Sequence, residues 1–178
     1  DLFLVACWTG ARYSDLKRFP DLIGDLWDQH GGQCPDELVF VQDKTDDRVR
    51  IPILDAVKRI VAKYDGRLPK AMSNQKMNRV IKEVLAHAGL TRTIEMASGD
   101  PQNTKPIRTP FNELVTLHTA RRTFATNMWE LQVLSAGELR SLTGHESEQA
   151  LLLYLNVDRE QVAQRAGAKL REALRQRA

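Results

Sequence analysis

The stretch from residue 117 to 155, LHTARRTFATNMWELQVLSAGELRSLTGHESEQALLLYL, constrains the chain most, because its punctuation marks three successive helices. Ala120, Phe124, Ala125 and Met128 recur at helical spacing behind His118 and Thr119. Ser135 and Glu138 form an S-x-x-E capping box for a short helix through Leu142. Gly144 suits the C-terminus of that helix and leaves His145 at an exposed corner. After Ser147, QALLLYL reads as a buried helix with Tyr154 in its last turn.

The polar residues of this stretch form an unusual set. His118 and Arg121, three apart at a helix start, lie on one helical face. The first turn of a helix carries unpaired N–H groups and partial positive charge, so an imidazole and a guanidinium added there make a site for a tetrahedral anion. Arg121 can hold two phosphate oxygens at once. Tyr154 follows His145 by nine residues. A phenol, with a pKa of about 10, is a poor nucleophile until a base takes its proton and cations stabilise the anion it attacks. Seen singly, each has a plain structural reading: a core aromatic for Tyr154, a helix cap for His145, a charged helix start for Arg121 and Arg122. Like charges at a helix N-terminus oppose its dipole, however, and that placement favours an anionic partner.

In chain order, residues 1–9 read as a buried helix ending at Gly10, with Arg12 just beyond and Ser14 and Asp15 starting another turn. From 21 to 53 the chain is read as alternating, with ELVFVQD and RVRIPI as two strands of a hairpin around KTDD. DAVKRIVAKY, residues 55–64, forms an amphipathic helix. Ser73 caps a longer one whose core stripe is Met77, Val80, Ile81, Val84 and Leu85, with Lys76, Arg79 and Lys82 on the other side. His87, near its end, reads as structural. TRTIEM and TKPIRT flank turn chemistry at SGDPQN and suggest a second small hairpin. The tail carries an apolar stripe of Val162, Ala166, Leu170, Ala173 and Leu174.

HTAR followed by RTFAT, then TGH, then a tyrosine nine residues later, together with TGARYSDL near the start, resembles the tyrosine recombinase family, the phage-type integrases, and in particular those of mobile elements. The resemblance spans nearly the whole chain. It implies a mainly α fold with a small antiparallel β-sheet (α+β), the catalytic domain of a recombinase over residues 1–178, and DNA strand cleavage and rejoining through a 3′-phosphotyrosyl intermediate without metal or ATP. It assigns Arg12 and Arg121 as the phosphate clamp, His118 as the proton acceptor for Tyr154, His145 as a hydrogen-bond donor to the phosphate, and Asp15 as a supporting group. Lys44, in the KT of the first hairpin, takes the role of general acid. Ser73, Asn74, Gln75, Lys76 and Arg79 resemble a helix start that approaches DNA backbone, a solvated polar face being the alternative reading. Arg122 departs from the histidine common after the box arginine and is assigned backbone contact only. The implied partner is double-stranded DNA, with self-assembly into a tetrameric synapse through the C-terminal tail; covering its own core is the tail's other reading.

The chain opens without Met in a helical pattern (LFLVACW) and reads as a fragment whose family relatives carry an N-terminal helical DNA-binding domain. Its 178 residues suit one well-cored domain. The net charge of +3 says little, but its distribution says more: residues 55–91 hold eight Lys/Arg against three acids, and residues 21–48 eight acids against two bases. Such asymmetry accompanies a phosphate-facing side, although solvated helix faces also produce it. Cys7 and Cys34 have no metal-ligand spacing and read as buried reduced thiols of a cytoplasmic, nucleoid-associated protein. No apolar run of about 18 residues and no signal peptide appears. No zinc pattern or Gly-rich phosphate loop is visible, so no metal or nucleotide cofactor is implied. A type IB topoisomerase and a DNA-binding module without cleavage are the other readings this residue set leaves open.

Overall fold

The computed structural model describes residues 1–43, 46–98, 105–155 and 159–175. Helix α1 (Leu2–Thr9) ends at Gly10, whose φ of 66° is left-handed and whose N–H closes the helix on the Ala6 carbonyl. A single turn, α2 (Tyr13–Leu16), leads into α3 (Phe19–Gln29). The alternating pattern expected from residue 21 is therefore wrong over this segment. Phe19, Leu22, Ile23, Leu26 and Trp27 have helical spacing, and Pro20 sits in the first turn, where its missing N–H leaves no bond unmade.

The first hairpin pairs β1 (Glu37–Val41) with β2 (Arg48–Pro52), antiparallel, with Leu38 opposite Ile51 and Phe40 opposite Val49. All four of those side chains are buried, so this register puts one face of the hairpin into the core. Then come α4 (Asp55–Lys63) and α5 (Asn74–His87), the latter capped by Ser73, whose Oγ accepts the Lys76 N–H at 3.3 Å. The second hairpin, β3 (Thr93–Met96) with β4 (Ile107–Pro110), forms as expected; the residues of its turn from 99 to 104 lie outside the described ones. A short α6 (Phe111–Leu114) precedes α7 (Leu117–Glu130), α8 (Ala136–Thr143), α9 (Glu148–Leu155) and α10 (Arg159–Arg175).

Helix α7 is the spine. It packs along α1, and α5, α8 and α9 pack against it. The larger body of buried residues joins α1, α3, the first hairpin, α4, α5 and the start of α7. A smaller one, Phe124, Leu139 and Leu151, fastens α8 and α9 to the far side of α7. Burying each of those side chains contributes roughly 1.5–3 kcal/mol, and the partly buried Met128, Trp129, Leu134, Leu142 and Leu155 pack against them. Both capping signals in the central stretch are realised: Ser135 and Glu138 cap α8 reciprocally, and Gly144 ends it with φ 65°.

Several exposures depart from the expected pattern. Val84, expected in the core stripe of α5, is 59% exposed, and His87 is exposed at the end of the same helix. Leu153 of the expected buried helix is 75% exposed. Helix α10 leaves Leu170 and Leu174 outward at 65% and 67%, so those stripe residues do not cover the core of their own chain; the Val162 side chain lies outside the described ones. Cys7 and Cys34 are free but half-buried rather than buried, and burial pushes the Cys7 thiol up to about 11. Among the described residues no helix is long and apolar enough to cross a membrane.

The α1–α7 contact is tight at Gly10, where an added Cβ would lie 2.4 Å from Phe124 Cδ1. Gly10→Ala would combine a left-handed backbone cost of about 1–2 kcal/mol with overpacking of about 1–3 kcal/mol. We expect urea unfolding to show a loss of at least ~2 kcal/mol for this variant; wild-type stability would mean that α1 and α7 are not locked at this point.

Candidate active site

Three segments converge on the N-terminal half of α7. The turn after Gly10 brings Arg12, α7 brings His118 and Arg121, the Gly144 corner brings His145, and α9 brings Tyr154. The Tyr154 ring lies between two imidazoles, with centroids 5.4 Å from His118, edge-on, and 5.0 Å from His145, tilted. These five sequence-predicted residues are therefore gathered in one place.

Each guanidinium is held from behind by backbone or amide oxygen. Arg121 is 5% exposed, and its Nη1 donates to the Gly10 carbonyl at 2.7 Å. Arg12, half-buried, donates from Nη1 to Gln42 Oε1 and from Nη2 to the Gly144 carbonyl, both at 2.7 Å. A guanidinium has five N–H donors, so these bonds orient both side chains and leave donors for a further acceptor. Burial, reinforced by the neighbouring Arg12, lowers the Arg121 pKa to about 10, still cationic at neutral pH. The two like charges repel, Asp15 offsets part of that repulsion at Arg121, and an anion entering the site would offset more.

Tyr154 is half-buried, and its hydroxyl is buried with no hydrogen-bond partner among the described residues. Burial raises its pKa, opposed by Arg121 and Arg122, so the resting phenol keeps its proton. His145, expected at an exposed corner, is instead half-buried against Tyr154. Burial, followed by the charges of Arg121, Arg12 and His118, lowers its pKa to about 4. His118 is exposed and lines a cavity of about 450 Å³ with Arg12, Arg121, Tyr13, Asn74 and Asn78.

Asp15 is fully buried on α2, and its Oδ1 accepts the Asp43 N–H at 3.0 Å. It thus fastens the hairpin one residue before Lys44, which itself lies outside the described residues. Of the residues matched to a DNA-facing helix start, Asn74 lines the central cavity, whereas Ser73, Gln75, Lys76 and Arg79 line a separate polar hollow of about 310 Å³. Arg122 points outward from α7 and is exposed.

Three supporting residues were not singled out from sequence. Gln42 is 2% exposed and receives Arg12. Asn78 on α5 accepts the Leu117 N–H at 2.9 Å, fixing the start of α7 from 39 residues away. Thr143 touches His145 Nδ1 at 2.7 Å. Thr143 is the first residue of the TGH motif and Gln42 lies two residues before the hairpin lysine, so proximity could have flagged both; nothing local signals Asn78.

The same arrangement of elements occurs in solved structures. The Tn1549 transposon integrase in complex with a circular intermediate DNA superposes with a TM-score of 0.58 at 12% identity, covering 96% of this chain and 57% of that one. The XerH site-specific recombinase bound to palindromic difH substrate, a post-cleavage complex, gives 0.54 at 13% identity, covering 93% and 44%. The chain has the tyrosine recombinase catalytic-domain fold. It spans about half the length of these recombinase chains. No protein-family model and no curated protein matches it in sequence.

The depressed pKa of His145 gives a sign that can be checked. Between its ordinary 6.5 and about 4 the unfolded chain binds more protons at this group, so its contribution to stability is present above 6.5 and is lost as pH falls towards 4. NMR titration of the DNA-free protein should give a midpoint near 4, and His145→Asn should flatten part of the acid loss of thermal stability. A midpoint near 6.5 would place the imidazole in water instead.

Proposed function

We propose that this chain is the catalytic domain of a site-specific DNA recombinase or integrase that cleaves and rejoins strands through a 3′-phosphotyrosyl link. The observation that carries the reading is the gathering of Arg12, His118, Arg121 and His145 around Tyr154. The fold neighbours were solved with DNA, which supports double-stranded DNA as the partner of this cationic site, and we propose that it acts in the nucleoid.

In this mechanism Arg12 and Arg121 hold the non-bridging oxygens of the scissile diester, using the donors their protein partners leave over. Their orientation is set before DNA arrives, and that preorganisation is what stabilises developing charge. His118, exposed beside the cavity and edge-on to the tyrosine ring, takes the phenolic proton as Tyr154 attacks phosphorus. His145 contacts a phosphate oxygen. Lys44 protonates the departing 5′ oxygen; the two residues before it in sequence, Gln42 and Asp43, are tied to Arg12 and Asp15. The phosphotyrosyl bond conserves the energy of the broken diester, so rejoining to a new strand needs no ATP.

A pool of nicked suicide duplexes of randomised sequence provides the test. The intact protein should form a covalent adduct that Tyr154→Phe abolishes and that Arg121→Ala slows by about 10²–10³-fold. Absence of an adduct with the intact chain would favour a DNA-binding module without cleavage. Adducts resolved only within the same duplex would favour a topoisomerase.

We further propose that α10 joins protomers into a tetrameric synapse, the outward Leu170 and Leu174 supplying the contact. Deleting residues 160–178 should weaken assembly on paired sites in gel-shift and cross-linking assays and leave single-site binding largely intact. Unchanged assembly would assign the tail another role.

A further inference from the structure

Thr143 is the last residue of α8 and is 0% exposed. Its Oγ1 lies 2.8 Å from the Leu139 carbonyl oxygen and 2.7 Å from His145 Nδ1, with the Arg140 carbonyl oxygen farther off at 3.4 Å. A hydroxyl has one proton to give, and a carbonyl oxygen can only accept. Both short contacts are satisfied in one way: the hydroxyl donates to Leu139, and His145 Nδ1–H donates to the hydroxyl. In a neutral imidazole the other nitrogen, Nε2, then carries a lone pair and no proton.

We propose that Thr143 is a positioning residue that commits His145 to the Nδ1–H tautomer, so that Nε2 is a bare acceptor until an anion enters the site. The surroundings agree. Arg12 and Arg121 bear on His145, Tyr154 lies tilted beside it and the Arg140 Nε donates to the His145 carbonyl at 3.1 Å; the guanidiniums disfavour a second proton on the ring while no anion is bound. For His145 to donate to a phosphate oxygen through Nε2, the ring must first become imidazolium by taking one proton from solvent. The diester's negative charge favours that uptake, so engagement of the phosphate and protonation of His145 are linked events. Without the Thr143 hydroxyl the ring is free to adopt the Nε2–H form, which donates while neutral but loses its fixed orientation.

This use of the tautomer rests on the recombinase reading; the tautomer itself does not, and the first experiment needs no DNA. Long-range ¹H–¹⁵N correlation spectra of the ¹⁵N-histidine-labelled full protein at pH 7, with His145 assigned by its loss in His145→Asn, should show the Nδ1–H pattern. An Nε2–H pattern in the wild-type protein overturns the proposal, and this outcome depends on no variant of Thr143. Thr143→Val should then move His145 towards Nε2–H or a mixture, while Thr143→Ser, which keeps the hydroxyl, restores the wild-type pattern; an unchanged tautomer in a folded Thr143→Val protein also overturns it. On suicide duplexes Thr143→Val should lower the adduct-forming rate by at least about tenfold with Thr143→Ser near wild type, as expected when an imidazole loses the partner that orients it. Equal loss in both variants would make Thr143 a packing residue only.

Discussion

A guanidinium in a protein interior must be given oxygen to bind, and the bond from Arg121 to the Gly10 carbonyl meets that demand in a way that shapes the whole molecule. It ties the start of α7 to the end of α1, elements 111 residues apart in sequence. The left-handed backbone at Gly10 presents the carbonyl, and the missing Cβ lets Phe124 of α7 close against it. Apolar packing and charge placement are thus settled by one contact. If α1 slid along α7, the core would loosen and the buried cation would lose its acceptor together.

Arg12 repeats this logic on the other side of the site. Its two bonds run to Gln42, at the base of the first hairpin, and to the carbonyl of Gly144, beside His145. Gly144 leaves no room for more: a Cβ there would meet Gln42 Oε1. Hairpin, Arg12 and histidine corner therefore meet as one polar junction, with Asp15 adding a second tie to the hairpin at Asp43. The segments that bear the chemistry are far apart in sequence, and hydrogen bonds to main-chain and amide oxygens hold them in register.

Much of this was legible beforehand because helix punctuation is local. Ser73, the Ser135–Glu138 box, Gly10 and Gly144 each act through bonds within a few residues of themselves, and each does what its sequence suggests. Helix α3 departs from the alternating expectation because its apolar residues have helical spacing inside an acidic segment that continues into a true hairpin. The site residues were legible as a list but not as a geometry. Gln42, Asn78 and Thr143 stayed hidden because their partners, Arg12, Leu117 and His145, are set by tertiary packing or by a ring orientation that no periodicity encodes. The same reason explains why His145, placed by sequence at an open corner, is half-buried: α9 folds back over it.

The unbonded hydroxyl of Tyr154 has an energetic meaning of its own. A buried polar group without a partner carries a penalty of about 1–3 kcal/mol, and the Tyr154 hydroxyl has none among the described residues. Any event that supplies an acceptor or carries the ring out into water relieves it. The helix that bears the ring is secured by few fully buried side chains, Leu151 among them, while Leu153 already faces outward. An arrangement that gives this oxygen something to hold is therefore favoured by the energy of one hydrogen bond.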